Sequence, residues 1–381
     1  MKSRILYIGI PILLIIVGFI MVVYGFTKKT VHEIAWGLLV PGYVYFALIA
    51  TGSSIVNSVY TIFHYRGPGG ELEKIIKLGV WFSFASIVIS WVLILADISK
   101  PLEFWRILVS FNIESRIAWM ALLYVFYGIF LAVELVYLIR ASVSERLRVL
   151  KWLELTIATI VLIVIVATAS NLAQVFGTIS AIPAWYGPHL VPYFIVLAVL
   201  SGAAGQALFV TLTLWKDLGL RKFIAWYYGW ILVLVTPLLA ILVIWNIITA
   251  WYNPQVWLVY NEVIRGAYAL WFWFTEVVLG IIVVIALAYY AATRYNIVAF
   301  LTASVIALIA GFIRTHTIIV VPQLKTPEVL GLVRVAEYHV TWGEALILVG
   351  AIIIWPSLYI LGQQLLPLLH EEQPRRLWIF K

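Results

Sequence analysis

The chain has 381 residues, of which 64% are hydrophobic and only 11% are charged, and it contains no cysteine. A soluble domain of this size is nearer half apolar and a quarter charged, so the composition excludes an ordinary soluble protein. The lack of cysteine excludes disulfides and cysteine-ligated zinc or iron–sulfur sites within this chain. The formal net charge of +8 fits basic residues that flank membrane spans, and it does not indicate a nucleic-acid partner.

Ten apolar stretches are each long enough to cross the hydrocarbon core of a lipid bilayer. The first follows Lys2 and Arg4, exceeds the apolar core of a signal peptide and lacks a small-residue cleavage motif, so it is interpreted as a retained helix. Hydropathy therefore predicts an all-α polytopic membrane protein. The predicted spans are 5–26, 34–63, 75–97, 116–138, 152–175, 192–215, 223–248, 263–290, 296–314 and 340–365.

Basic residues are divided unevenly between the two sides of the predicted bundle. With an inner N-terminus, 16 Lys and Arg residues fall on the inner side and eight on the outer side, with Arg265 uncounted at a boundary. Two predicted outer loops, 176–191 and 249–262, hold neither Lys nor Arg. Because cytoplasmic loops carry the excess of basic residues, this division predicts a multi-pass protein of the plasma membrane with both termini inside.

An internal repeat has a constant offset of 149 residues. The segment FNIESRIAW at 111–119 matches YNEVIRGAY at 260–268, and Asp97 stands opposite Asn246. Four spans separate the copies, so both copies have the same orientation, and the repeat predicts two parallel four-helix bundles with one extra helix at each end. The predicted divisions are 1–33 (first helix and loop), 34–175 (first bundle), 176–314 (second bundle) and 315–381 (outer loop, last span and inner tail).

The histidines are expected in loops or at helix ends. A membrane haem-b site needs axial histidines within facing helices, so the sequence predicts no haem and, without cysteine, no iron–sulfur cluster in this chain. Any redox role would then use a bound organic cofactor or a partner protein. The six histidines are His32, His64, His189, His316, His339 and His370.

Polar and aromatic side chains collect on the predicted outer side, above all in the segment LADISKPLEFWRILVSFNIESRIAW at 95–119. Aromatic walls with a few acid–base groups at the mouth of a helix bundle suit a ring that takes up and releases protons. The alternative is a solvated loop layer with an aromatic belt at the membrane interface.

Glu276 falls near the middle of the eighth predicted span, where an ionised carboxylate is costly unless it is paired or solvated. Arg265, on the same predicted helix, is 11 residues away, and Arg314 would reach Glu276 only if the helices cross closely. We therefore expect a protonated or water-linked carboxylate that serves a proton route. The alternative is a neutral Glu276 that forms a hydrogen bond across the bundle.

Several motifs resemble the NrfD/polysulphide-reductase membrane-subunit family over roughly residues 34–350. Two departures stand out: Lys100 replaces an arginine of the family's D-L-G-R-P-like turn, and Tyr43 or Thr51 stands where members often carry a histidine. The matching residues are Trp36, Gly37 and Gly52 in the opening helix, Asp97 and Pro101 in the turn, Phe111, Asn112, Ser115 and Trp119 in the FN…S…W element, Phe272, Trp273, Glu276 and Gly280 in F-W-x-x-E-x-x-x-G, and Tyr338 and Glu344 before the last helix.

The resemblance implies an integral membrane subunit of a respiratory oxidoreductase complex that binds quinone or quinol, with menaquinone as one candidate, near its outer face. It implies electron exchange with an iron–sulfur partner subunit, which serves a catalytic subunit, commonly a molybdopterin enzyme. The subunit itself would be non-haem and surrounded by membrane lipid. The predicted site residues are Asp97 and Glu276 for proton transfer, and Tyr43, Arg106 and His32 for quinone binding.

Roles follow for three of these residues. Tyr43 would donate a hydrogen bond to a quinone oxygen, Asp97 would move its proton, and Arg106 would hold Asp97 ionised or orient the ring.

The sequence leaves two other classes of protein open. A secondary transporter also fits repeats and a mid-membrane acid, although transporters more typically show inverted repeats and broken helices. A structural anchor without quinone is the other.

Overall fold

The computed structural model describes residues 2–30, 33–63, 65–142, 151–327 and 333–369, with side chains from residue 8 onward and without that of residue 151. Ten of the described helical segments are long and apolar enough to cross a membrane, which confirms the predicted all-α polytopic class. The helices are α1 (Lys2–Thr27), α2 (Leu39–Ile62), α3 (Glu71–Asp97), α4 (Arg106–Val109), α5 (Arg116–Ala141), α6 (Lys151–Gly177), α7 (Leu190–Thr213), α8 (Leu218–Trp251), α9 (Pro254–Ile264), α10 (Val284–Arg294), α11 (Ile297–Leu324) and α12 (Trp342–Leu365).

Three smaller elements complete the chain. A 3₁₀ turn spans Pro101–Glu103, a π-helix spans Trp271–Val283 and continues into α10, and an antiparallel hairpin pairs β1 (Lys325–Pro327) with β2 (Val333–Val335). The side that carries the turn and the hairpin is called the outer face here, after the orientation predicted from the charges.

Side-chain caps fix where several helices begin. An unpaired backbone N–H is costly next to hydrocarbon, and a capping oxygen satisfies one of the free donors of the first turn. At α12 the arrangement is reciprocal: the Glu344 N–H donates to Thr341 Oγ1 over 3.2 Å, and the Thr341 N–H donates to the Glu344 carboxylate over 3.0 Å. The residues that cap helices in the described chain are Ser115, Asp217, Asn253, Asn296 and Thr341.

Two four-helix rings of the same topology lie side by side. In the first, α2 packs on α3, α3 on α5, α5 on α6 and α6 on α2; in the second, α7 packs on α8, α8 on α10, α10 on α11 and α11 on α7. The contact of α6 with α7 mirrors that of α11 with α2. The two flanking helices, α1 and α12, pack on each other, and α12 also packs on α3.

The helices α2 and α7, with the segments just before them, meet at equivalent positions of the two rings. Three contacting pairs, each separated by 149 residues, are Trp36 with Trp185 before the helices, and Ser53 with Gly202 and Asn57 with Gln206 within them. A Cβ atom on Gly202 would collide with the Ser53 backbone nitrogen, so glycine permits this close approach. Contacts between equivalent residues are what a two-fold axis between parallel copies produces, and they support the repeat found in the sequence.

The ninth predicted span, 296–314, is too short. Helix α11 continues to Leu324, so the predicted division at 314 falls inside a helix and His316 lies within α11, not in a loop. The hydropathy falls after residue 313 because Arg314 and Thr315 are polar, but both are buried among other helices, at 2% and 0% exposure. His189 and His339 precede α7 and α12, as predicted.

The outer loop predicted at 249–262 also holds a helix. Asn253 caps α9, and Pro254 occupies its first turn, where the missing N–H costs nothing. The eighth predicted span, 263–290, is then displaced, because the membrane-spanning part begins only at Trp271.

Candidate functional site

Asp97 is the last residue of α3 and lies at the outer face. Its carboxylate is 3.5 Å from Lys29 Nζ, and Lys29 also donates hydrogen bonds to the backbone carbonyl oxygens of Ala96 and Asp97. A cation at a helix C-terminus stabilises the free carbonyls there. Because both side chains are about one quarter exposed, solvent partly screens the ion pair.

Arg106 belongs to the short helix α4, where its side chain is mostly exposed. Its Nη1 atom lies 2.9 Å from Glu103 Oε2, one turn earlier, and its guanidinium lies 5.9 Å from the centre of the Trp105 ring. The expectation that Arg106 holds Asp97 ionised is therefore wrong. The 3₁₀ turn before α4 brings Glu103 onto the same side as Arg106, and the cation beside Asp97 is Lys29.

Tyr43 lies in the first turns of α2 and is buried, with 2% exposure. Its hydroxyl donates to the Met120 sulfur over 2.5 Å, and its ring meets that of Tyr124 edge to face at 5.9 Å. The Tyr124 hydroxyl is buried and has no hydrogen-bond partner among the described residues. His32, the remaining predicted quinone ligand, lies outside the described residues.

Tyr338 and Glu344 join Asp97 in one cluster at the outer face. Glu344 Oε1 accepts hydrogen bonds from the Tyr338 hydroxyl over 3.1 Å and from the Leu38 N–H over 3.0 Å. Burial raises the pKa of Tyr338, and the negative charges of Glu344 and Asp97 raise it further, so the hydroxyl stays protonated. We call Lys29, Asp97, Tyr338 and Glu344 the outer cluster.

Glu276, in the π-helix, forms a buried ion pair with Arg314 of α11. Arg314 Nε lies 3.2 Å from Glu276 Oε2, and Arg314 Nη2 donates to the Glu276 backbone carbonyl over 3.1 Å. Arg314 thus reaches Glu276, which was expected only if the two helices cross closely, and the protonated or water-linked state of Glu276 stays a prediction. The two helices cross closely because Gly280 has no side chain: a Cβ there would lie 2.6 Å from the Ala310 Cβ. Long π-helices are rare and often mark functional sites.

Two neighbouring spaces with shared wall residues lie on the outer side of this pair. The inner cavity has about 560 Å³ of empty space, part of it open, and the vestibule above it has about 1230 Å³. Side chains that line the inner cavity include Tyr193, Asn246, Tyr260, Phe272, Glu276 and Thr317. Side chains that line the vestibule include Tyr186, His189, Trp245, Asn246, Asn253 and Tyr260.

Residues 27–327 match the model of the family described as Polysulphide reductase, NrfD. The chain belongs to the NrfD family. It is 23% identical over 386 residues to a protein of Mesobacillus selenatarsenatis that is named as a subunit of selenate reductase, and the match covers 89% of this chain and 87% of that protein. It is 25% identical over 215 residues to a Halobacterium salinarum protein provisionally named as a membrane subunit of dimethyl sulfoxide reductase, with 51% and 48% of the two chains covered.

The two halves of this NrfD chain differ at the position of the ion pair. Subtracting the repeat offset of 149 residues from Glu276 and Arg314 leads to Tyr127 and Ile165 in the first ring. In the first ring, the Tyr127 hydroxyl is 2.8 Å from Ser54 Oγ, and the side chains of Tyr127 and Ser54 are buried and uncharged. An ionisable pair present in only one copy is the signal that sequence reasoning missed, although it had identified the repeat.

Proposed function

We propose that this NrfD protein is the quinone-reactive membrane subunit of an oxidoreductase complex. Family membership supports a membrane subunit of such a complex, and two relatives carry the names of reductase subunits. The observation that carries the proposal is the outer cluster, in which Asp97, Tyr338 and Glu344 set acid–base groups at the mouth of the first ring.

Side chains of the first ring would surround a quinone head group and exchange protons with it. Tyr43 lies in apolar surroundings beside Tyr124, whose buried hydroxyl has no partner in the described chain, so these residues offer hydrogen-bond donors to ring oxygens. Reduction of a quinone takes two electrons and two protons, and oxidation of the quinol returns them. Asp97 takes up or gives a proton at the outer face, and Lys29 favours its anionic form between proton transfers.

The loop between α3 and α5 is proposed as the docking surface for an iron–sulfur partner subunit. Three of its apolar side chains are strongly exposed: Leu102 at 88%, Val109 at 75% and Ile113 at 72%. Arg106 lies among them and orients the partner or the quinone ring. The partner would pass electrons between the quinone and a catalytic subunit, for which a molybdopterin enzyme is proposed. The chain itself would hold neither haem nor an iron–sulfur cluster.

Glu276 is proposed to carry protons that move with turnover. Its carboxylate lines the inner cavity at 3% residue exposure, and the Arg314 guanidinium beside it permits an ionised form at this depth. The proposal keeps both termini on the cytoplasmic side of the plasma membrane, so the inner cavity opens away from the cytoplasm.

Purification of the native complex tests the proposal. A tag on this chain should retain a second subunit with an iron–sulfur cluster, a catalytic subunit and a quinone extractable into organic solvent. Mass spectrometry identifies the subunits and the quinone, and iron analysis identifies the cluster. A chain that is fully assembled in the membrane yet retains neither redox subunits nor quinone would contradict the proposal.

A further inference from the structure

The vestibule and the inner cavity adjoin each other. Their walls share Ala184, Asn246 and Tyr260, and one space is lined by Asn253 at the outer face and the other by Glu276. Tyr260 belongs to α9, the short helix that contributes to the walls of both spaces. Burial raises the pKa of Tyr260, and the charges of Tyr193 and Glu276 raise it further, so its hydroxyl remains a donor within the path.

Two side-chain atoms of the ion pair have unsatisfied hydrogen-bonding capacity. Glu276 Oε1 and Arg314 Nη1 are fully buried and have no hydrogen-bond partner among the described residues. A charged group in low dielectric is costly unless its hydrogen bonds are satisfied. Water satisfies such groups where a cavity is polar and large enough, and one water takes about 30 Å³ in the liquid. The centres of water molecules can occupy about 60 Å³ of the inner cavity. One water needs about 10–15 Å³ of such volume, so the cavity has room for several.

The packing inward of the pair is dense. Below Glu276 on the π-helix, Gly280 lies against Ala310. Below Arg314 on α11, Gly311 is closed in by the Tyr45 hydroxyl and Ser201 Oγ, which would lie 2.9 and 3.0 Å from a Cβ placed there. The inner cavity and the vestibule, by contrast, lie on the outer side of the ion pair.

We propose that the vestibule and inner cavity form a water-filled access path from the outer face to the Glu276–Arg314 pair. Its ligand is a chain of water molecules that hydrogen-bond to Tyr260, Tyr193 and the two charged groups. Protons on Glu276 then exchange with the outer aqueous phase. Only this last consequence rests on the proton role proposed above; access of water to the pair does not depend on it.

The repeat supplies a matched control for testing this access. Thr317 lines the inner cavity, and its hydroxyl donates to the carbonyl of Ile313, four residues earlier, over 3.0 Å. Thr168 is its equivalent in the first ring, 149 residues earlier, and its hydroxyl donates to the carbonyl of Val164 over 2.6 Å. Both threonines are buried, at 8% and 1% exposure.

Because this chain contains no cysteine, any label found on this subunit, once it is separated from its partners, comes from the single introduced cysteine. The complex carrying Thr317→Cys or Thr168→Cys is treated, in sealed vesicles of known orientation, with a charged methanethiosulfonate that does not cross membranes. Thr317→Cys should react at least about tenfold faster than Thr168→Cys from the outer face, because a charged reagent does not enter dry protein. Reagent confined to the inner side should leave Thr317→Cys unmodified.

Equal, slow reaction of both variants would show a dry pair and overturn the proposal, as would modification of Thr317→Cys from the inner side alone. If Thr317→Cys does not assemble, Asn246→Cys takes its place, because Asn246 belongs to both spaces. Labelling needs neither quinone nor electron transfer, so a complex that fails the quinone test still decides whether the path exists. Conversely, normal labelling with unchanged proton coupling in Glu276→Gln would reject only the proton role.

Discussion

The Nε2 atom of Gln206 donates a hydrogen bond of 2.7 Å to Oδ1 of Asn57, the residue 149 positions earlier, where α7 crosses α2. Both side chains are buried, at 1% and 4% exposure. Gln206 also donates to the Tyr228 hydroxyl over 2.8 Å and accepts from Ser53 Oγ over 2.5 Å. Polar groups that are satisfied inside an apolar bundle fix the register of the helices that carry them.

Replacement of Gln206 should therefore loosen the junction between the two rings. In Gln206→Leu, Asn57 and Tyr228 lose their partner, and each buried polar group left unpaired costs about 1–3 kcal/mol. We expect a lower thermal midpoint of the detergent-solubilised protein. In the double variant Asn57→Leu/Gln206→Leu, the loss should be smaller than the sum of the two single losses. Independent, additive losses would mean that the hydrogen bond does not couple the rings.

Loss of Arg314 should be far more damaging than loss of Arg106. Arg314→Gln leaves Glu276 buried without its cation, and breaking a buried ion pair costs about 3–5 kcal/mol. Arg106→Gln breaks an exposed pair with Glu103, for which about 0–1 kcal/mol is expected. Thermal unfolding followed by size-exclusion chromatography measures both. If a second substitution, Glu276→Gln, restores the thermal stability lost in Arg314→Gln, the unpaired buried charge is the cause of that loss. Equal thermal stability of the Arg314→Gln and Arg106→Gln variants would contradict the prediction.

Asp97 and Tyr43 should control quinol-linked turnover. Asp97→Asn cannot exchange a proton and Tyr43→Phe cannot donate a hydrogen bond, so each should slow turnover by about tenfold or more while assembly survives. Turnover is measured with a water-soluble quinol analogue and normalised to the amount of assembled complex. Glu73→Gln, which removes an exposed carboxylate paired with Arg66 at the opposite end of α3, is the control. Normal rates in both assembled variants would place the quinone elsewhere.

Glu276→Gln should uncouple proton movement from electron transfer. Glutamine keeps the size and hydrogen bonding of the side chain but leaves the buried Arg314 without its counter-charge, so less of the variant should assemble. The assembled fraction should bind quinone and lose the protons that move with turnover, because glutamine cannot carry a proton. The ratio of protons to electrons is measured in proteoliposomes from the external pH change recorded during turnover. An unchanged ratio would leave Glu276 a structural partner of Arg314.

His189, which lines the vestibule, should lower the free energy of unfolding of the protein in mildly acidic solution. Burial lowers the pKa of His189 below its ordinary value of 6.5, and a hydrogen bond with the Ala184 backbone opposes the shift only in part. The unfolded chain then binds a proton more readily than the folded one, so stability decreases as pH falls through about 6.5 and is unaffected above it.

The thermal midpoint measured from about pH 8 to about pH 5.5 tests this titration, since that window brackets the ordinary histidine value. His189→Gln should flatten the profile relative to the parent. His339→Gln, at an exposed histidine outside the vestibule, controls for the loss of a histidine as such. A parent-like acid sensitivity in His189→Gln would assign the effect to another group.

The sequence by itself determined the membrane class, the ten spans and the repeat. Runs of apolar side chains report their environment directly, because a bilayer admits only long helices of this composition. The offset of 149 residues was visible at polar positions such as Asp97 and Asn246, and the contact between Asn57 and Gln206 is its structural counterpart. The family motifs in the same order along the chain agreed with the family match.

The tertiary structure decided which charges meet. Lys29 and Asp97 are 68 residues apart in the chain, and Glu276 and Arg314 are 38 residues apart. No local sequence pattern predicts which faces of two distant helices will contact each other. The close crossing at Gly280 and Ala310, and the π-helix that carries Glu276, arise from packing between segments. Hydropathy ended the ninth span at Arg314, because it scores polar residues as solvated. In the structure, the neighbouring helices and an ion pair compensate the burial of these residues, rather than water alone.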